Sequence, residues 1–185
     1  MLLIRHLNKT VILLLFYVFP FFGVKTLASS APQIKIMTLN TWLIGTPFYN
    51  PSKDDQIRMN GMFEQVAKLS PDIVALQEVW KPEYRRQVVE RFERMGYQTL
   101  DPSKIVKKGY ALDYLGGSGL FVFSKHPATL RDFLPFSQYT QPVEGLIKKG
   151  AMWVDIDFPE YGTIQFVNTH TGAVSFDLER NDFSK

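Results

Sequence analysis

Two short apolar runs, Ile34 to Leu39 and Ile73 to Leu76, bracket an amphipathic helix pattern, and this spacing constrains the fold more than any other feature of the chain. Ser52-Lys53-Asp54-Asp55 has capping-box spacing, and Met59, Met62, Phe63 and Val66 recur at i, i+3, i+4 and i+7, which predicts a helix from Asp54 to Leu69. Ser70-Pro71-Asp72 stops it. The first run reads as a strand buried on both faces and ends in Asn40; the second is a buried strand ending in Gln77-Glu78. Strand, helix and strand with such short connections form a right-handed crossover. The two strands are then parallel, and Asn40 and Glu78 reach the same sheet edge. Ligand sites form outside the carboxyl ends of strands.

Pro82 suits the first turn of a second helix, whose apolar stripe of Tyr84, Val88, Val89 and Phe92 runs up to Gly96. Arg85, Arg86, Glu90, Arg91 and Glu93 form its solvated face. Beyond Tyr97 the pattern turns to strands: Gly119 to Ser124, Thr129 to Phe136, Ala151 to Phe158 and Thr163 to Thr169. Met152, Val154 and Ile156 alternate with Trp153, Asp155 and Asp157, so one face of that strand is wet. The last run delivers Asn168 and His170 to a strand end, as the first two deliver Asn40 and Glu78.

Arg5 and Lys9 precede an apolar run from Val11 to Val24 and then Thr26-Leu27-Ala28, the pattern of a secretory signal peptide over residues 1–28, cleaved near Ala28. A membrane anchor is the competing reading. The run is interrupted by Pro20 and falls short of the roughly 20 residues needed to span hydrocarbon. A secreted or periplasmic product is therefore expected. The formal charge of +3 belongs to the leader, whose only charged side chains are Arg5, Lys9 and Lys25, so the remainder is neutral and its pI implies no nucleic-acid partner. There is no cysteine, which excludes disulfides, thiol nucleophiles and thiolate metal sites. Oxygen and imidazole ligands favour magnesium, manganese or calcium over zinc. No linker or repeat divides residues 32–185, which read as one folding unit.

A carboxylate at the end of an apolar strand must be paired, protonated or bound to a cation, so Glu78 either holds a hard divalent ion or forms a salt bridge. Asn40 either caps a turn or donates to a phosphate oxygen or a water. His170 is either a satisfied structural histidine or a donor to charge developing on a phosphate. Gly116-Gly117-Ser118-Gly119 enters a strand and is not followed by a helix, so it is a tight turn and not a P-loop or dinucleotide fingerprint. Trp42, Phe48, Tyr49 and Trp80 follow the candidate residues closely and belong to the core or to a lipid-facing or base-stacking rim.

Taken together, Leu39-Asn40-Thr41-Trp42, Leu76-Gln77-Glu78-Val79-Trp80, the run from Gly117 to Pro127, Lys149-Gly150 and Asn168-Thr169-His170 resemble the endonuclease/exonuclease/phosphatase superfamily, and within it the neutral sphingomyelinases. The resemblance implies a four-layer α/β/β/α sandwich with magnesium, or manganese, at one end of two facing sheets. It implies Glu78 as the metal ligand, Asn40 and His170 as catalytic residues that orient the phosphate or water and contact the scissile phosphate, and Asn168 and Lys149 as substrate-binding residues. The implied reaction is in-line attack of water on a metal-polarised phosphodiester, with an Asp-paired histidine as base.

The sequence departs from that pattern after Gly172, where neither the Gly-Asp-x-Asn nor the Ser-Asp-His segment follows. Asn181 and Asp182 are in the wrong order to replace them. The chain is thus expected to be the N-terminal portion of such a domain, stopping as another helix begins near Phe176, with apolar surface exposed and little activity alone. The expected function is an exported sphingomyelinase-like phosphodiesterase, with a phospholipid or other phosphodiester as substrate and a membrane surface as the place of action. The alternatives are a secreted nuclease, disfavoured by the neutral charge, and a catalytically dead phosphate- or lipid-binding module.

Overall fold

The structure, a computed structural model, describes residues 32–44, 52–105, 117–137 and 148–171. The expected leader, Phe48, Tyr49, Gly116 and the helix expected near Phe176 lie outside the described residues. Within them the order is β1 (Ile36–Leu43), α1 (Asp55–Leu69), β2 (Ile73–Val79), α2 (Pro82–Arg94), β3 (Gln98–Leu100), a 3-10 turn (Pro102–Lys104), β4 (Phe121–Ser124), β5 (Ala128–Pro135), β6 (Gly150–Phe158) and β7 (Gly162–Thr169).

The crossover is present. β1 and β2 run parallel with Ile36 opposite Ile73 and Asn40 opposite Gln77, and the first sheet has the order β1-β2-β4-β3. The second sheet is an antiparallel β5-β6-β7 array. α1 buries Met59, Met62, Phe63 and Val66, the stripe its periodicity predicts. It ends at Ser70, whose N–H makes the last i→i−4 bond to the Val66 carbonyl and whose left-handed backbone turns the chain out of the helix. The expected capping box does not form: Asp54 makes no side-chain cap, and the Ser52 hydroxyl accepts from Arg58 instead.

Two apolar cores set the layers. On one face of the first sheet, α1 and α2 pack Phe63, Val66, Val88 and Phe92 against Val74, Leu76, Phe121 and Phe123. The Phe92 and Phe123 rings stack with centroids 3.8 Å apart. On the other face, Ile73, Leu100, Leu120 and Val122 meet Phe133, Met152, Val154, Ile156 and Phe158 of the second sheet. The described residues therefore build three layers, α/β/β, of a four-layer α/β/β/α sandwich.

β1 departs from the expectation of a strand buried on both faces. Its burial alternates, with Ile36 54% exposed, because it stands at the end of the sheet order and packs only its Met37, Leu39 and Leu43 on the helical side. β6 shows the expected alternation, with Trp153 and Asp157 exposed, but Asp155 is buried and paired with Arg131 at 2.6 Å.

Candidate functional site

β1 and β2 both leave their ladder through a non-glycine residue with left-handed backbone, Trp42 at φ 50° and Glu78 at φ 61°. Asn40 pairs with Gln77 and Leu43 with Val79, so Thr41 and Trp42 on β1 face Glu78 alone on β2. This is a bulge, a device that re-aims side chains at a sheet rim. The Trp42 N–H donates to Asn40 Oδ1 at 3.0 Å, which holds the Asn40 amide in a local turn and leaves its NH2 to donate to Glu78.

His170 follows β7 directly, and its Nε2 lies 3.2 Å from Glu78 Oε1. Burial raises the Glu78 pKa, but hydrogen bonds from His170 and Asn40, with the charges of His170 and Lys149, outweigh it and hold the carboxyl below its ordinary value. Glu78 is therefore ionised at neutral pH. Its second oxygen, Oε2, is buried without a hydrogen-bond partner, as is Nδ1 of His170. The His170 ring rests against Trp80, centroids 5.9 Å apart. Trp80 is buried over Gly119, which has φ 67° and whose missing Cβ leaves room for the indole.

The structure thus brings Asn40, Glu78 and His170 to one rim. Lys149 is also there: it is buried, donates to the Thr171 carbonyl at 3.2 Å, and adds positive charge near Glu78. Asn168, expected to bind substrate, is built into the protein at the base of the site. It is 3% exposed, its Nδ2 donates to the carbonyls of Leu76 and Phe121, both at 3.0 Å, and its Oδ1 accepts from Gln77 Nε2 at 2.8 Å. Both amide hydrogens are committed to protein, so Asn168 ties the second sheet to the first beneath the site. Gln77, not assigned a role from sequence, is its partner; its position in Leu76-Gln77-Glu78 was the available signal.

Among the described residues no group of three or more His, Asp or Glu side chains gathers as a metal cluster. The site offers one ionised carboxylate with one unused, buried oxygen. That fits a hard cation such as magnesium, which takes one or two carboxylates and completes its shell with waters and phosphate oxygens. A cleft of about 670 Å³ lined by Pro82, Arg85, Arg86 and Phe121, among others, lies along α2 and includes none of Asn40, Glu78 and His170.

Comparison with known proteins agrees with this fold. The inositol phosphosphingolipids phospholipase C of Schizosaccharomyces pombe is 26% identical over 153 residues, covering 77% of this chain and 32% of that protein. Sphingomyelinase C from Streptomyces griseocarneus superposes with a TM-score of 0.64 and 20% identity over 78% of this chain and 51% of its own. A double mutant of Staphylococcus aureus beta toxin with bound magnesium ions gives a TM-score of 0.59 and 15% identity, over 77% of this chain and 50% of its own. The chain thus spans about half the length of those two structures and about a third of the phospholipase. The family model described as Endonuclease/Exonuclease/phosphatase family matches residues 37–172, most of the sequence, and the chain belongs to that family.

Proposed function

We propose that the chain carries the cation seat and phosphate contacts of an exported, magnesium-dependent phosphodiesterase acting on sphingolipid-type phosphodiesters. The observation that carries this reading is the half-buried, ionised Glu78 with one buried oxygen unpartnered and the other 3.2 Å from His170. Glu78 would hold magnesium, or manganese, through its free oxygen. When bound, the ion supplies Lewis-acid polarisation and charge neutralisation at a phosphoryl oxygen. The His170 Nε2–H and one Asn40 amide hydrogen hold Glu78, so the second Asn40 amide hydrogen and the unpartnered His170 Nδ1 are the groups left to orient the phosphate and meet charge that grows on it, an electrostatic role that a water-poor rim strengthens. Lys149 adds fixed positive charge for an anionic substrate. Asn168 acts as a positioning residue.

Of the three histidines, His6 lies in the leader, His126 stands beside Phe158 and Asp72, and His170 contacts Glu78. Among the described residues no second imidazole reaches the site to activate water, and the expected outcome is recognition of the phosphodiester with little or no turnover. The leader supports export. The name of the Schizosaccharomyces pombe relative and the neutral charge outside the leader favour a sphingolipid headgroup over nucleic acid.

Calorimetric titration tests the proposal: magnesium first, then phosphocholine with and without magnesium. Magnesium-dependent phosphocholine binding, lost in Glu78→Gln, is expected. Absence of such binding overturns the reading, and magnesium-dependent plasmid nicking without phosphocholine binding replaces it with a nuclease.

A further inference from the structure

We propose that an ionic knot of the buried Asp55 and Lys81 with the half-buried Arg58 is the device that holds the two left-handed strand ends, and with them Asn40 and Glu78, in working register. What the site binds rests on the function proposed above; the positioning itself does not.

Asp55 opens α1 and is 2% exposed. Its two oxygens are both taken, Oδ1 by Arg58 Nη2 at 2.5 Å and Oδ2 by Lys81 Nζ at 2.6 Å. Desolvating such a group is costly, and a buried ion pair is weak evidence of added stability; its best-attested use is to specify one geometry among several. The geometry specified here is that of the strand ends. Arg58 donates from Nη2 to the Trp42 carbonyl at 3.0 Å and from Nε to the Thr41 carbonyl at 3.4 Å. Those are the two bulge residues, whose carbonyls fall outside the β1–β2 register. Its guanidinium also lies 5.2 Å from the centre of the Trp42 ring.

From the other strand, the backbone N–H groups of Trp80 and Lys81 donate to the Leu43 carbonyl at 3.2 and 3.3 Å. The Lys81 side chain then turns to Asp55. One carboxylate on α1 therefore joins an arginine gripping the exit of β1 to a lysine on the exit of β2. Between these grips sit Trp42 and Glu78, both left-handed and neither glycine. Such conformations persist where their surroundings over-determine them. A planar fork bonding two successive carbonyls supplies that constraint, and lysine cannot reproduce it.

The test compares the protein with Asp55→Asn, Arg58→Lys and Ile156→Ala, the last a core change at the opposite end of β6. Amide exchange measured without metal should speed up about tenfold or more at Trp42, Trp80 and Lys81 in the two knot variants, with Val74 and Met152 unchanged. Magnesium affinity should fall by a similar factor, about ten to a hundredfold as for other supporting-shell changes, in the knot variants and not in Ile156→Ala. Unchanged exchange at Trp42, Trp80 and Lys81 in folded Arg58→Lys overturns the inference, and so does equal loosening in Ile156→Ala. If Asp55→Asn does not fold, Arg58→Lys decides; if neither folds, the knot is a stability element and the inference fails. Selective loosening in a protein that binds no magnesium even unmutated leaves the positioning intact and sinks the metal reading.

Discussion

His170 Nε2 lies 3.2 Å from Glu78 Oε1, so the ends of β2 and β7, strands of different sheets, meet in one acid–imidazole contact. Just below it Asn168 donates to the Leu76 and Phe121 carbonyls. The two sheets are thus joined by polar contacts at the rim and by apolar side chains beneath it. The site is the seam between the sheets, and disturbing the seam should disturb function and stability together.

Magnesium should raise the melting temperature of the protein, because a ligand that binds only the folded state stabilises it by about 2.7 kcal/mol at a hundred times its dissociation constant. Glu78→Gln should melt at a temperature independent of magnesium. A scanning calorimeter with and without a chelator reads the difference.

The pH dependence has a definite sign. The folded Glu78 pKa lies below the ordinary 4.5, so the stability its ionised form contributes is present above the unfolded value and is lost as pH falls through the folded one. Urea midpoints of the protein and of Glu78→Gln should therefore converge below pH 4.5 and separate above it, with the unmutated protein the more pH-sensitive. Parallel curves through that range would contradict the shift.

Asn168→Ala should cost about 3 kcal/mol or more, since it strips partners from two buried carbonyls and from Gln77, and each unsatisfied buried group costs about 1–3 kcal/mol. Denaturant unfolding measures it. Asn168→Asp should be no milder, because it removes both donors and buries a charge.

Gly119→Ala places a methyl into the Trp80 indole and imposes a left-handed backbone on alanine. The strain and overlap should together destabilise by about 2 kcal/mol or more. Trp80 should also shift away from His170, changing the intrinsic fluorescence spectrum; an unaltered spectrum and melting temperature would show the close approach to be unimportant.

The features legible in the chain are the local ones. Met59, Met62, Phe63 and Val66 announce α1 because helical periodicity is written in neighbouring residues, and α1 in turn forces β1 and β2 parallel. That sufficed to expect Asn40 and Glu78 on one edge. Trp80 remained ambiguous between core and rim because its burial depends on Gly119 and His170, distant in sequence. The reading of β1 as doubly buried failed for the same reason, since two-sided burial depends on what flanks the strand in the sheet.

By itself the sequence determined the strand–helix–strand unit, the polar residues at three strand ends and the absence of thiol chemistry, because periodicity and residue type act over short spans of chain. Only the tertiary structure decided that the Asn168 amide is spent between the sheets, that Asp55 pairs with both Arg58 and Lys81, and that Glu78 keeps one oxygen free. A polar side chain's role is set by the partners it finds, and here those partners come from other strands and the other sheet.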